Sequence, residues 1–255
     1  MDDGERDTWV IDLDGVIWLA QEPIPGSAEA VARLRGAGIG VLFATNNALP
    51  TLGELVSQLA AVGITAGPGD LVTSAQAAAS LLAPGARAVV CGADGVLEAL
   101  GDRGVTVVSD GPAEAVVVGL TRAFNFDMLA TAVTAVRDGA RLVGTNDDAT
   151  YPTPGRLLPG AGALLAAVAT AAQVTPEVAG KPHEAIAALL ATRAPGASMV
   201  VGDRASTDGL LARRIGTPFA LVRSGVTGAD ETGLGLVPEI DAPDLAAVVD
   251  RHLGS

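Results

Sequence analysis

The stretch Val10-Ile11-Asp12-Leu13-Asp14-Gly15-Val16-Ile17 decides how this 255-residue chain is read. An apolar run that stops at acid-x-acid-glycine predicts a buried strand, over Thr8 to Leu13, opening into a turn at Gly15. Residues two apart on a strand project on the same side, so Asp12 and Asp14 come off the chain together. In an open α/β sheet the carboxyl ends of the strands are where ligands bind. Paired carboxylates repel unless a cation lies between them or one holds a proton, and an all-oxygen ligand set suits Mg2+.

The same design recurs further along. A second strand, over Ile39 to Ala44, ends in Thr45-Asn46-Asn47. These short hydrogen-bonding residues could hold the oxygens of a phosphoryl group, although they are also ordinary turn residues. A later strand, Ser198 to Val201, runs into Gly202-Asp203-Arg204-Ala205-Ser206-Thr207-Asp208. Asp203 could complete a coordination sphere begun by Asp12. Asp208, expected on the first turn of the next helix, could hold Lys181 or a metal-bound water, or simply complement the helix dipole.

Lys181 is the one lysine among 16 basic residues, the rest being arginine. A compact ammonium and a planar guanidinium are not equivalent in a crowded site. Lys181 follows Gly180 and precedes Pro182, which biases it towards an extended backbone and aims its side chain. His183 reads as a helix-start residue.

Val/Ile/Leu-rich runs alternate with Ala/Leu-rich stretches throughout, the pattern of βα units around a parallel sheet. Further strands are expected over Ala86 to Cys91, Val105 to Val108, Ala115 to Leu120, Arg141 to Gly144 and Phe219 to Val222. Helices are expected over Ser27 to Arg35, Asp94 to Asp102, Phe126 to Arg137, Ala161 to Ala172, Glu184 to Arg193 and Ala205 to Arg214. Thr51-Leu52-Gly53-Glu54 reads as a capping box with Thr51 as N-cap. Lys181 comes 134 positions after Asn47, whereas one crossover needs roughly 30 residues. The surplus predicts an inserted domain over about 76–177, leaving a discontinuous core of 1–75 and 178–255. The fold class is α/β, a Rossmann-like parallel-sheet core with an inserted α/β domain.

Composition excludes several functions. Net charge is −13 and no basic stripe appears, which argues against nucleic acid. Mean hydropathy is +0.42, yet no run reaches the ~18 uncharged apolar residues of a membrane span. The acidic first residues do not resemble a secretory signal, so a cytoplasmic protein is expected. The single Cys91 cannot form an internal disulfide and reads as a small buried hydrophobe. Only His183 and His252 are available for a zinc site or a histidine-centred triad.

Taken together and in this order, the motifs resemble those of the haloacid dehalogenase superfamily of aspartate-nucleophile phosphatases. Within it the chain is similar to the branch of nitrophenyl-phosphate, phosphoglycolate and sugar-phosphate phosphatases, which carries a large α/β cap. The core matches are Ile11 to Trp18, Ala44 to Asn47, Gly180-Lys181-Pro182, Gly202-Asp203-Arg204 and Thr207-Asp208. The cap matches are Gly144 to Asp148, Tyr151 to Pro154 and Pro159 to Gly162.

The resemblance implies Asp12 as nucleophile and Asp14 as general acid and base. It implies Thr45 and Asn46 as phosphate-binding residues, and Lys181 as the cation that stabilises phosphate charge. Mg2+ would be held by Asp12, Asp203 and the main-chain carbonyl of Asp14, with Asp208 in support. Asn146, Asp148 and Tyr151 would set substrate specificity in the cap, and a homodimer is a candidate assembly. Ala48, Asp147, Gly209 and Ala212 depart from the usual pattern.

The expected activity is Mg-dependent hydrolysis of a small phosphorylated metabolite through an aspartyl-phosphate on Asp12. A halide-removing enzyme would not need a proton donor at Asp14. A phosphorelay receiver uses a similar Mg site but has no use for the large insertion. A module that only binds phosphorylated ligands would not need both Asp12 and Asp14.

Overall fold

The structure, a computed structural model, describes residues 7–20, 22–153, 156–228, 231–233 and 235–254. Most of the acidic N-terminal stretch, and Pro154 of the cap motif, lie outside the described residues. Two compact units are distinguished. The first comprises Met1–Thr45, Val56–Val72 and Ala187–Ser255, and the second Asn46–Leu55 and Thr73–Ile186.

The first unit is built on a six-stranded sheet in the order Ile240–Ala242, Phe219–Val222, Met199–Gly202, Thr8–Ile11, Gly40–Thr45, Leu71–Thr73. Thr8–Ile11 pairs in parallel with Met199–Gly202 on one side and Gly40–Thr45 on the other, Ile11 standing opposite both Val201 and Phe43. From that central strand the chain builds first in one direction and later in the other. Its carboxyl end is therefore the topological switch point, where open α/β sheets bind ligands.

The central strands are apolar on both faces, as strands buried on both sides are. Trp9, Ile11, Leu13 and Phe43 have no exposed surface. Burying each such side chain contributes about 1.5–3 kcal/mol. Helices Ser27–Gly36 and Leu245–Leu253 pack together, with Arg33 paired to Asp250 at the surface.

The second unit has its own five-stranded parallel sheet, in the order Glu177–Val178, Arg141–Gly144, Ala115–Val118, Arg87–Cys91, Thr106–Val108. Helices Phe126–Arg137 and Ala161–Ala172 cover it through a core that includes Val116, Val118, Ala132, Leu142, Leu165 and Val168. Cys91 is buried in the same core, and desolvation pushes its thiol up to about 11. An antiparallel hairpin joins Thr150–Thr153 to Arg156–Pro159. The insertion expected over 76–177 lies within the longer segment of this unit.

The capping box is formed as read: the Thr51 N–H donates to the Glu54 carboxylate at 2.8 Å, and the Glu54 N–H donates to Thr51 Oγ1 at 3.2 Å. One expectation needs correction. The helix expected over Ala205 to Arg214 is a π-helical turn, Ala205–Gly209, followed by an α-helix, Leu210–Ile215. Asp208 thus lies on a π turn, a feature that recurs at functional sites.

Candidate active site

In the first unit three carboxylates meet. Asp12 follows strand Thr8–Ile11, Asp203 follows Met199–Gly202, and Asp208 comes from the π turn. One oxygen of each lies within 4.8 Å of the others. Their residues are 8%, 4% and 1% exposed, so solvent does little to screen their repulsion. Buried oxygen donors this close suit a hard cation such as Mg2+.

The surroundings fix each acid. The Asp12 N–H donates to the Val201 carbonyl at 2.9 Å, holding Asp12 in the sheet's hydrogen-bond ladder. Asp203 accepts from the Val226 N–H at 2.5 Å. Asp208 accepts from the Thr207 hydroxyl at 3.2 Å and the Arg204 N–H at 3.3 Å.

Glycines make the room. A Cβ at Gly15 or Gly225 would fall 2.4 or 2.0 Å from Asp203 Oδ2, and one at Gly202 would fall 2.2 Å from the Asp208 carboxyl carbon. Gly15 also has φ +86°, which favours glycine.

Asp14 is half-buried and its carboxylate is outside this cluster; it accepts the indole N–H of Trp18 at 3.1 Å. Thr45, closing strand Gly40–Thr45, is buried.

In the second unit the expected residues gather around Asn46. Its Oδ1 accepts the Lys181 N–H at 2.7 Å. Its Nδ2 donates to the Lys181 carbonyl at 3.1 Å and to Asp148 Oδ2 at 3.0 Å. Asn146 Nδ2 and Ser74 Oγ both donate to the Asn46 carbonyl, at 2.8 and 2.7 Å. The Asp148 N–H returns to Asn146 Oδ1 at 3.1 Å. Lys181 is 2% exposed, and its peptide bond to Pro182 is cis.

Beside this group His183 pairs with Asp147 at 3.0 Å, and that hydrogen bond holds the Asp147 carboxyl below its ordinary value of 3.8. The Tyr151 hydroxyl accepts from Arg122 at 3.2 Å.

Sequence reasoning missed Trp18 as a partner of Asp14, Ser74 as a partner of Asn46, and the glycines at 202 and 225 as spacers. The indole four positions after Asp14 was a usable signal. The serine and the spacer glycines had none, because both residue types are common in turns.

Two stretches of the chain match family models of this architecture: residues 9–106 match haloacid dehalogenase-like hydrolase, and residues 178–250 match a HAD-hydrolase-like model. The chain belongs to the haloacid dehalogenase-like hydrolase family. It is 40% identical to the D-glycerol 3-phosphate phosphatase of Mycobacterium tuberculosis over 88% of its own length and 65% of that protein's. The chain thus spans somewhat less than two thirds of that relative. It is 33% identical to a 5'-nucleotidase of Bacillus subtilis, over 86% of this chain and 88% of the other.

Among solved structures, p-nitrophenyl phosphatase from Archaeoglobus fulgidus superposes with a TM-score of 0.90 at 29% identity, covering 97% of this chain and 99% of that one. A glycerol phosphate phosphatase from Mycobacterium tuberculosis, solved with magnesium and also with calcium, gives 0.86 at 36% identity. In the magnesium complex the match covers 96% of this chain and 76% of the other. Within the family, then, this chain's kinship is with phosphoric monoester hydrolases. No helix among the described residues is long and apolar enough to cross a membrane.

Proposed function

We propose that the chain is a magnesium-dependent phosphatase of small phosphate monoesters, working in the cytoplasm through an aspartyl-phosphate on Asp12. The observation that carries this reading is the trio of buried carboxylates at the switch point of the sheet, in a chain whose relatives are phosphatases.

The donor set fits magnesium: Asp12, Asp203 and the Asp14 main-chain carbonyl would hold it, with Asp208 in support. When bound, the ion supplies positive charge against the phosphoryl oxygens. The chain's own residues do the rest. An Asp12 oxygen attacks phosphorus in line while the Asp14 carboxyl gives its proton to the departing ester oxygen. Asp14, now a carboxylate, takes a proton from the water that attacks the aspartyl-phosphate, releasing phosphate and regenerating Asp12. Trp18 holds Asp14 in place for both transfers.

The Thr45-Asn46 turn binds the phosphoryl group and Lys181 stabilises its charge. The inserted segment, about 76–177, acts as the cap, and Asn146, Asp148 and Tyr151 shape its specificity loop. Candidate substrates are glycerol phosphate, phosphoglycolate, a sugar phosphate or an aromatic phosphate, and a homodimer is the candidate assembly.

The test is phosphate release from a panel of metabolite monoesters with and without Mg2+. Asp12→Asn should abolish turnover, since an amide cannot form the covalent intermediate. Asp14→Asn should slow both transfers and let phosphoenzyme accumulate, visible as added mass on the intact protein. Appreciable Asp12→Asn activity in metal-free buffer would sink the mechanism.

A further inference from the structure

We infer that the side chain of Asn46 is a positioning brace: it clamps the main chain of Lys181 on both sides and ties it to Asp148. The inference rests on the reading of Lys181 as the cation that stabilises phosphoryl charge.

The argument is one of capacity. A carboxamide has two N–H donors and one acceptor oxygen. Here both donors are engaged, one by the Lys181 carbonyl at 3.1 Å and one by Asp148 Oδ2 at 3.0 Å. The oxygen is engaged by the Lys181 N–H at 2.7 Å. No side-chain donor is left for a phosphoryl oxygen, so any part Asn46 plays in phosphate binding falls to its main chain.

The surroundings hold Asn46 as firmly as it holds Lys181. Its carbonyl accepts from Asn146 and Ser74. The Gly180 N–H donates to the Thr145 carbonyl at 2.7 Å, laying the lysine segment beside the 145–148 loop. A Cβ at Gly180 would lie 2.5 Å from both Asn46 Oδ1 and the Thr145 carbonyl oxygen, so only glycine lets the two segments come this close. The 2% exposed Lys181 therefore has its backbone set by one side chain that also reads the state of the 145–148 loop. A shift of that loop at Asp148 would be passed to Lys181 through the Asn46 amide.

The experiment is a reciprocal swap. Asn46→Asp keeps an oxygen for the Lys181 N–H but loses both donors and sets a carboxylate against Asp148. It should lower kcat at least about 30-fold with KM changed less than about threefold, as loss of an interaction made in the transition state requires. Asn46→Asp combined with Asp148→Asn restores a donor–acceptor pair with the polarity reversed. It should recover at least about tenfold in kcat over the single variant.

Thermal melting gives an independent reading. Asn46→Asp should lower Tm and the double variant should raise it again. If the wild type hydrolyses no monoester, the phosphatase reading fails while melting still tests the brace. If Asn46→Asp does not fold, Asn46→Ser, which adds no charge, carries the kinetic test. A rise in KM with kcat unchanged, or absence of any recovery in the double variant, would overturn the brace.

Discussion

Gly225→Ala is the sharpest perturbation the core unit offers, because it adds one methyl group and no charge. The added Cβ would lie 2.0 Å from Asp203 Oδ2 and 2.5 Å from its carboxyl carbon. Real contacts of a Cβ essentially never fall below 3.0 Å, so the carboxylate must retreat by at least 1.0 Å or the 225 loop must move by as much. Moving the loop carries the Val226 N–H away from the same oxygen, which it now meets at 2.5 Å. Either route displaces Asp203 or strips its partner.

Loss of an outer partner typically costs about 10–100-fold in metal affinity or activity, and a misplacement of about 1 Å can cost ~10²-fold in rate. Gly225→Ala should therefore weaken the apparent Mg2+ affinity at least about tenfold, roughly 1.4 kcal/mol, and kcat should stay depressed at saturating Mg2+. Calorimetric titration of Mg2+ and a Mg2+ activation curve measure the two effects. Gly228→Ala is the control, since a Cβ there meets nothing within 4 Å. Wild-type Mg2+ affinity and kcat in Gly225→Ala would refute the assignment of Asp203 as a metal ligand.

Lys181→Arg should lose at least ~10²-fold in kcat/KM, about 2.7 kcal/mol of transition-state stabilisation, with little change in Tm. Lys181 is buried at 2% exposure, so a longer forked guanidinium must displace its neighbours, and steady-state kinetics beside a melting curve decide the matter. The Arg223 guanidinium donates to both oxygens of Asp241 at 2.8 and 2.6 Å and holds its carboxyl below 3.8. A depressed carboxylate contributes stability that is present above its unfolded value and lost as pH falls through the lower folded one. Asp241→Asn should thus lower stability by less than about 1 kcal/mol above about pH 4, for so exposed a pair, and the difference from wild type should vanish as pH falls further, as read by urea melts across pH.

What was legible in the sequence was whatever chemistry demands of particular residue types at particular places. Carboxylates at the ends of apolar runs marked Asp12 and Asp203, because a strand end is one of the few places where a charged group can follow a buried strand. Helices Phe126–Arg137 and Ala161–Ala172 came out at their residue bounds because their apolar spacing is long and uninterrupted. Shorter pieces were lost: helix Ser74–Ser80, the hairpin at Trp18–Leu19 and Glu22–Pro23, and strand Ile240–Ala242 span too few residues to show a period. The π turn at Ala205–Gly209 was read as plain helix, since hydrophobic spacing does not separate one turn type from the other.

The overall charge and the local charge answer different questions. A net −13 would repel a phosphate dianion at long range, but at physiological ionic strength the field of surface acids is screened within about 8 Å. The carboxylates of Asp12, Asp203 and Asp208 are beneath that screening, within 4.8 Å of one another and nearly without exposure. On the proposed reading their repulsion persists in salt and would be relieved from inside the site, by a cation held on their oxygens. The buried trio, rather than the acidic surface, is therefore what the proposed divalent ion would answer. By the same reasoning, raising ionic strength should relieve the repulsion between enzyme and substrate without removing the need for metal.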